Sequence, residues 1–181
     1  HQFGLGDEPR LELVYEWIEK NQTVEGGWVG VKVHCNPSPG GCLNGTSNIL
    51  WGLSSAVEFA GTKVAQKGIE FLARAVASPH LKYSRQLSYP QFWNFWIDDI
   101  KLAEIYVGLG ASPDKDPLKT CLNNILALQE TDGRWLEHHG PYPGNHLNCR
   151  HMHKLFPKRN EPSKWVTAKA MTVLKRAYSE A

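Results

Sequence analysis

The pattern Gln-x-x-x-Gly-x-Trp occurs twice in this chain, as Gln22-Thr23-Val24-Glu25-Gly26-Gly27-Trp28 and as Gln129-Glu130-Thr131-Asp132-Gly133-Arg134-Trp135, each time directly after an apolar helix candidate. A pattern that returns far along a chain, at the same place relative to a helix, marks a repeat architecture. That constrains the fold more than any local propensity does. Each residue type has a local task. Gln at a helix end hydrogen-bonds carbonyls the helix leaves over, or the next loop. Gly permits the turn. Trp closes the structure with a large apolar area and one N–H donor. Gln22, Trp28, Gln129 and Trp135 therefore read as structural.

The rest of the chain supplies helices to repeat. Pro9 suits a first helical turn, and apolar residues at 11, 13, 14, 15, 17 and 18 continue it to Gln22. Residues from Leu43 to Phe59 are small or apolar almost all round, which predicts a helix buried on most sides. Lys63 to Ala77 is amphipathic, Phe92 to Leu109 is apolar after an aromatic start, Pro117 to Leu128 is amphipathic, and Ser163 to Tyr178 is apolar again. Amphipathic and buried helices thus alternate, with no strand pattern to compete. Three helix hairpins are expected, at about 9–60, 63–110 and 117–179, in one repeat domain spanning 1–181. Phe71-Leu72 falls midway between Trp17-Ile18 and Asn124-Ile125, so the period is roughly 54 residues. Stacked hairpins bury a shared face that a single hairpin leaves open.

Composition removes several function classes. A hydrophobic fraction of 41% with seven Trp belongs to a folded chain. A net charge of +2, scattered, provides no concentrated basic face for nucleic acid. No run approaches the roughly 20 apolar residues of a membrane span. There is no Gly-x-Ser-x-Gly nucleophile motif and no Gly-rich phosphate loop. The four Cys are too sparse for a disulfide scaffold and no leader pattern opens the chain, so a cytoplasmic protein is expected. Asn21-Gln22-Thr23 and Asn44-Gly45-Thr46 match glycosylation acceptors, a pattern common by chance.

Lys67-Gly68-Ile69-Glu70-Phe71-Leu72 supplies the other half of a longer repeat. The squalene-cyclase and prenyltransferase family carries Lys/Arg-Gly-x-x-aromatic-aliphatic-x-x-x-Gln followed by Gly-x-Trp, and this chain resembles it in partial copies. The middle repeat shows the first half, with Val76 at the Gln position, and the outer two show the second half. The resemblance implies an all-α, α/α-toroid fold in which inner helices surround a cavity and outer helices surround them. A closed ring of this type usually has five to seven hairpins, so three look like half a ring. A second copy, as a homodimer, or another chain would complete it.

In the resembled family the cavity mouth lies near the starts of the inner helices, which here are Cys42-Leu43-Asn44-Gly45, Phe92-Trp93-Asn94-Phe95-Trp96 and Ser163-Lys164-Trp165. Ligand-binding candidates are therefore Cys42, Asn44, Tyr89, Phe92, Trp93, Trp96, Lys164 and Trp165. The aromatic residues suit a hydrophobic, isoprenoid-type ligand or a carbocation. Class II terpene cyclases protonate an alkene with Asp-x-Asp-Asp. The corresponding stretch here is Trp96-Ile97-Asp98-Asp99, with Trp in place of the first Asp. The resemblance makes Asp98 the proton donor and Asp99 its partner, while the plainer reading is two acids complementing a helix N-terminus. His34, Cys35 and Cys42 are the candidate metal ligands, and zinc the cofactor they would suit. A Cys35–Cys42 disulfide is the alternative in an exported protein. Three function classes follow: an isoprenoid cyclase or transferase, a non-catalytic toroid-repeat module that pairs with another chain, and a carbohydrate-active toroid enzyme.

Overall fold

Side chains at the helix ends account for where most of the helices begin. The computed structural model describes residues 8–29, 40–78, 87, 97–138 and 158–179 of the chain. Helix α1 (Pro9–Lys20) has Pro in its first turn and Glu8 as N-cap, whose carboxylate accepts from the Arg10 backbone N–H. It stops at Asn21, whose amide donates to the Trp17 carbonyl at 2.7 Å. Helix α2 (Leu43–Leu53) is capped by Cys42, whose Sγ accepts from the Gly45 N–H. Helix α3 (Lys63–Ala77) is capped by Thr62, which accepts from the Ala65 N–H at 3.2 Å. Helix α4 (Asp99–Gly108) follows Asp98, whose Oδ1 accepts from the Lys101 N–H at 2.8 Å. Helix α5 (Leu118–Ala127) has no side-chain cap bond. Helix α6 (Lys164–Ser179) follows Ser163, whose hydroxyl accepts from the Val166 N–H at 3.2 Å.

Six α-helices among the described residues make the fold mainly helical, as expected, but two helix boundaries differ. The helix expected over Leu43–Phe59 ends at Leu53. There the Ser54 hydroxyl donates to the Trp51 carbonyl, and a short 3₁₀ turn takes Val57–Phe59. The fourth helix begins at Asp99, while the expected aromatic start, residues 92–96, lies outside the described residues. A small antiparallel sheet also forms: β1 (Leu136–Glu137) pairs with β2 (Glu161–Pro162), Leu136 opposite Pro162 and Glu137 opposite Glu161. Two-residue strands leave no periodicity for sequence reasoning to detect.

The backbone divides into two compact units, residues 1–83 with 104–112, and residues 84–103 with 113–181. In the first, α2 and α3 pack together around Leu50, Leu53, Ala65 and Leu72, all buried. The approach is close because α3 carries Gly68: a Cβ there would lie 2.7 Å from the Leu50 Cδ2. Tyr15 of α1 tilts against Phe59, ring centroids 4.7 Å apart. In the second unit Leu118, Leu122 and Ile125 of α5 and Val166, Ala170 and Val173 of α6 are buried, with Trp135 between them in sequence and buried too. The buried positions of α5 and α6 recur every three or four residues, which is how one face of a helix is turned inward.

Candidate functional site

The two Gln-x-x-x-Gly-x-Trp stretches fold into the same device, atom for atom. The Trp28 indole N–H donates to the Ile18 carbonyl at 2.8 Å, and the Trp135 indole N–H to the Ile125 carbonyl at 2.7 Å. Each carbonyl lies near the C-terminal end of the preceding helix, where backbone acceptors lack intrahelical partners. Gln22 Nε2 donates to the Gly26 carbonyl and Gln129 Nε2 to the Gly133 carbonyl, both at 3.0 Å. The helix carbonyls are thus served by Trp, and Gln serves the loop. Gly26 and Gly133 take φ of +94° and +83°, a region L side chains rarely adopt.

The device has a second half that the sequence pattern did not reveal. The Trp28 backbone N–H donates to the Thr46 hydroxyl at 2.9 Å, and that of Trp135 to the Thr167 hydroxyl at 3.1 Å. The Trp28 carbonyl accepts from the Cys42 N–H, and the Trp135 carbonyl from the Ser163 N–H. The usable signal is a capping residue followed four positions later by Thr: Cys42 with Thr46, and Ser163 with Thr167. The loops between Trp and cap differ in length, which hid the correspondence.

This pins down two of the ligand-binding candidates. Cys42 is the buried cap of α2 and is disulfide-bonded, its partner lying outside the described residues. A disulfide sulfur has no thiolate to offer zinc. The other metal candidates, His34 and Cys35, lie outside the described residues, and among those described no cluster of three His, Cys, Asp or Glu side chains is placed to hold a metal. Asn44 sits half-buried in the first turn of α2, its carbonyl accepting from the Ser47 hydroxyl. His138 lies against Leu87: its ring Nδ1 accepts from the Leu87 backbone N–H at 3.2 Å, and its backbone N–H donates to the Leu87 carbonyl at 3.0 Å.

Asp98 and Asp99 are both buried, 3% and 2% exposed, at the start of α4. Lys101, one turn on, is 4% exposed, and apolar Ile97, Ile100 and Leu102 surround them in sequence. Buried charge is costly unless compensated, and such groupings concentrate at functional sites. Asp98 also performs the capping task the plainer reading assigns it. Lys164 and Trp165 are exposed at the start of α6, the ammonium 5.0 Å from the indole centroid. Tyr89, Phe92, Trp93 and Trp96 lie outside the described residues. Cys42 and Asn44 belong to the first unit; Asp98, Asp99, Lys164 and Trp165 belong to the second.

A groove of about 530 Å³ opens in the second unit, lined by Arg134, Pro162, Lys164, Thr167, Ala168 and Met171. Its lining includes Thr167, the residue of the repeated device that accepts from the Trp135 N–H. Only Lys164 among its lining residues was singled out from sequence. No protein-family model, curated protein or solved structure matches the chain.

Proposed function

We propose that the chain is a helical-repeat domain of the α/α-toroid type that takes a hydrophobic, isoprenoid-type ligand, with acid chemistry at the start of α4. The observation that carries this reading is the burial of two adjacent carboxylates, Asp98 and Asp99, among apolar neighbours. A carboxylic acid in a dry, apolar setting keeps its proton, so that one is present for transfer to an alkene carbon. Asp98 would donate its proton to one alkene carbon, the π pair forming the new C–H bond and leaving a carbocation on the other carbon. Asp99 would support the acid, and Trp93 and Trp96 would face the cation.

The test is product analysis with linear polyisoprenoids, comparing the protein with its Asp98→Asn variant. Asn also caps helices, so the variant keeps the fold while losing the ionisable proton. Cyclised or hydrated product from the parent protein, absent with Asp98→Asn, is expected. No turnover and no ligand-induced change in tryptophan fluorescence would remove this reading.

A second reading, a non-catalytic repeat module that works by pairing with another chain, is favoured by one observation. The Asp98 carboxylate already accepts from the Lys101 N–H, so a structural task accounts for it without chemistry. On that reading Asp98→Ala destabilises the chain by about 1 kcal/mol, as loss of a cap does, and Asp98→Asn changes nothing measurable.

A further inference from the structure

We propose that the groove on α6 receives α1 of a second copy of this chain, with Trp17 as the inserted side chain. The first unit shows the contact already made internally. There α3 lies on the repeated device: Gln22 Nε2 donates to the Val64 carbonyl at 2.9 Å, and Arg74 donates to the Glu25 carbonyl at 2.7 Å. A Cβ on Gly27 would fall 2.9 Å from the Phe71 ring, and one on Gly68 would fall 2.7 Å from Leu50. Phe71 and Gly68 of α3 therefore cover Gly27 and Leu50.

The second unit has the same surface with nothing described upon it. Matching Trp28 to Trp135, and Cys42 and Thr46 to Ser163 and Thr167, puts Arg134 at the position of Gly27 and Met171 at that of Leu50. Leu50 is fully buried, whereas Met171 is 59% exposed and lines the groove with Arg134.

Helix α1 has the complementary vacancy. It matches α3 in register through its N-cap, Glu8 for Thr62, and through its buried aliphatic, Ile18 for Leu72. That register puts Val14 at the position of Gly68, Trp17 at that of Phe71 and Lys20 at that of Arg74. Phe71 is buried, but Trp17 is 55% exposed and Val14 48%. The two faces exposed in one chain are thus the two halves of a contact that the same chain makes once internally.

The internal contact selects a second copy as the occupant, because α1 carries exposed Val14 and Trp17 where α3 carries its covering Gly68 and Phe71. Lys20 would meet Asp132, which stands where Glu25 stands on the first device. The fit is a variant of the internal one. Val14 sets the helix farther out than Gly68 does, flexible Met171 follows it, and the Arg134 guanidinium offers a cation to the Trp17 ring. Such a contact is heterologous, joining two different faces. It is independent of any chemistry at Asp98.

The test is sedimentation velocity on the full chain and on Trp17→Asp and Met171→Asp, each checked for folding by circular dichroism. Both residues are exposed, so both variants are expected to fold. The parent chain is expected at twice the chain mass or more at tens of micromolar, and each variant at the chain mass. An equimolar mixture of the two variants is expected to regain a one-to-one dimer, because each supplies the face the other lacks. A parent chain that stays monomeric would overturn the proposal and assign these faces to another protein. Folded variants that remain separate on mixing would overturn it equally.

Discussion

Alanine at Gly26 and at Gly133 should have very different costs, although the two glycines occupy the same place in the same device. Both have positive φ, so both substitutions incur about 1–2 kcal/mol of left-handed backbone strain. At Gly133 nothing else is near: the closest atom to an added Cβ is Gln129 Nε2, 3.8 Å away. At Gly26 the backbone oxygen of Lys67 would lie against it, and backbone within a helix cannot step aside. The loop must lift off α3 instead. Lifting it surrenders the bonds from Gln22 to Val64 and from Arg74 to Glu25, worth about 1 kcal/mol each. Gly26→Ala should therefore cost about 2 kcal/mol more than Gly133→Ala. For a chain of this size that is a difference of about 4–8 °C in Tm. Thermal unfolding followed by far-UV circular dichroism reads it directly. Equal shifts for the two variants in dilute solution, where no second copy docks, would refute the idea that α3 seats on the first device and that no described part of the same chain covers the second.

Thr46→Val keeps shape but strands the Trp28 N–H in a fully buried site, so a loss of about 1–3 kcal/mol is expected in urea unfolding. Thr167→Val should cost less, because the Trp135 N–H is only part-buried. Asp132 is held below its usual carboxyl value of 3.8, first by the side chain of Arg134 and then by the Arg134 backbone N–H. With a depressed folded value, its contribution is present at neutral pH and is lost as pH falls through that value. Carboxyl NMR should place the Asp132 midpoint below 3.8, and Arg134→Ala should move it upward.

The acids of α4 illustrate how a local pattern and a tertiary setting answer different questions. Two Asp residues before an apolar run suit a helix N-terminus, and Asp98 does cap α4, although the sequence alone put the start of that helix at Phe92. Their near-complete burial was not legible there, because burial depends on residues distant in sequence. Cys42 shows the same limit. Its sequence neighbours suggested a metal or a disulfide, and only the fold made it a helix cap joined in a disulfide. The early end of the second helix was missed because Ser54 and Ser55 have no strong stop signal, although serine side chains compete for backbone carbonyls.

Periodicity and end residues determined the six helices and the repeat on which they stand, since a helix is specified by neighbours within four residues. Gln22, Gly26 and Trp28, with Gln129, Gly133 and Trp135, could be assigned a loop-closing task from their chemistry. Which carbonyl each donor reaches was decided only in three dimensions. So was the pairing of each Trp with Thr46 or Thr167, because hydrogen bonds across intervening loops depend on where those loops return. The tertiary structure alone also separated the covered copy of the device from the open one. Exposure of Trp17 and Met171 is set by what packs beside them, and no residue carries that information in its own name.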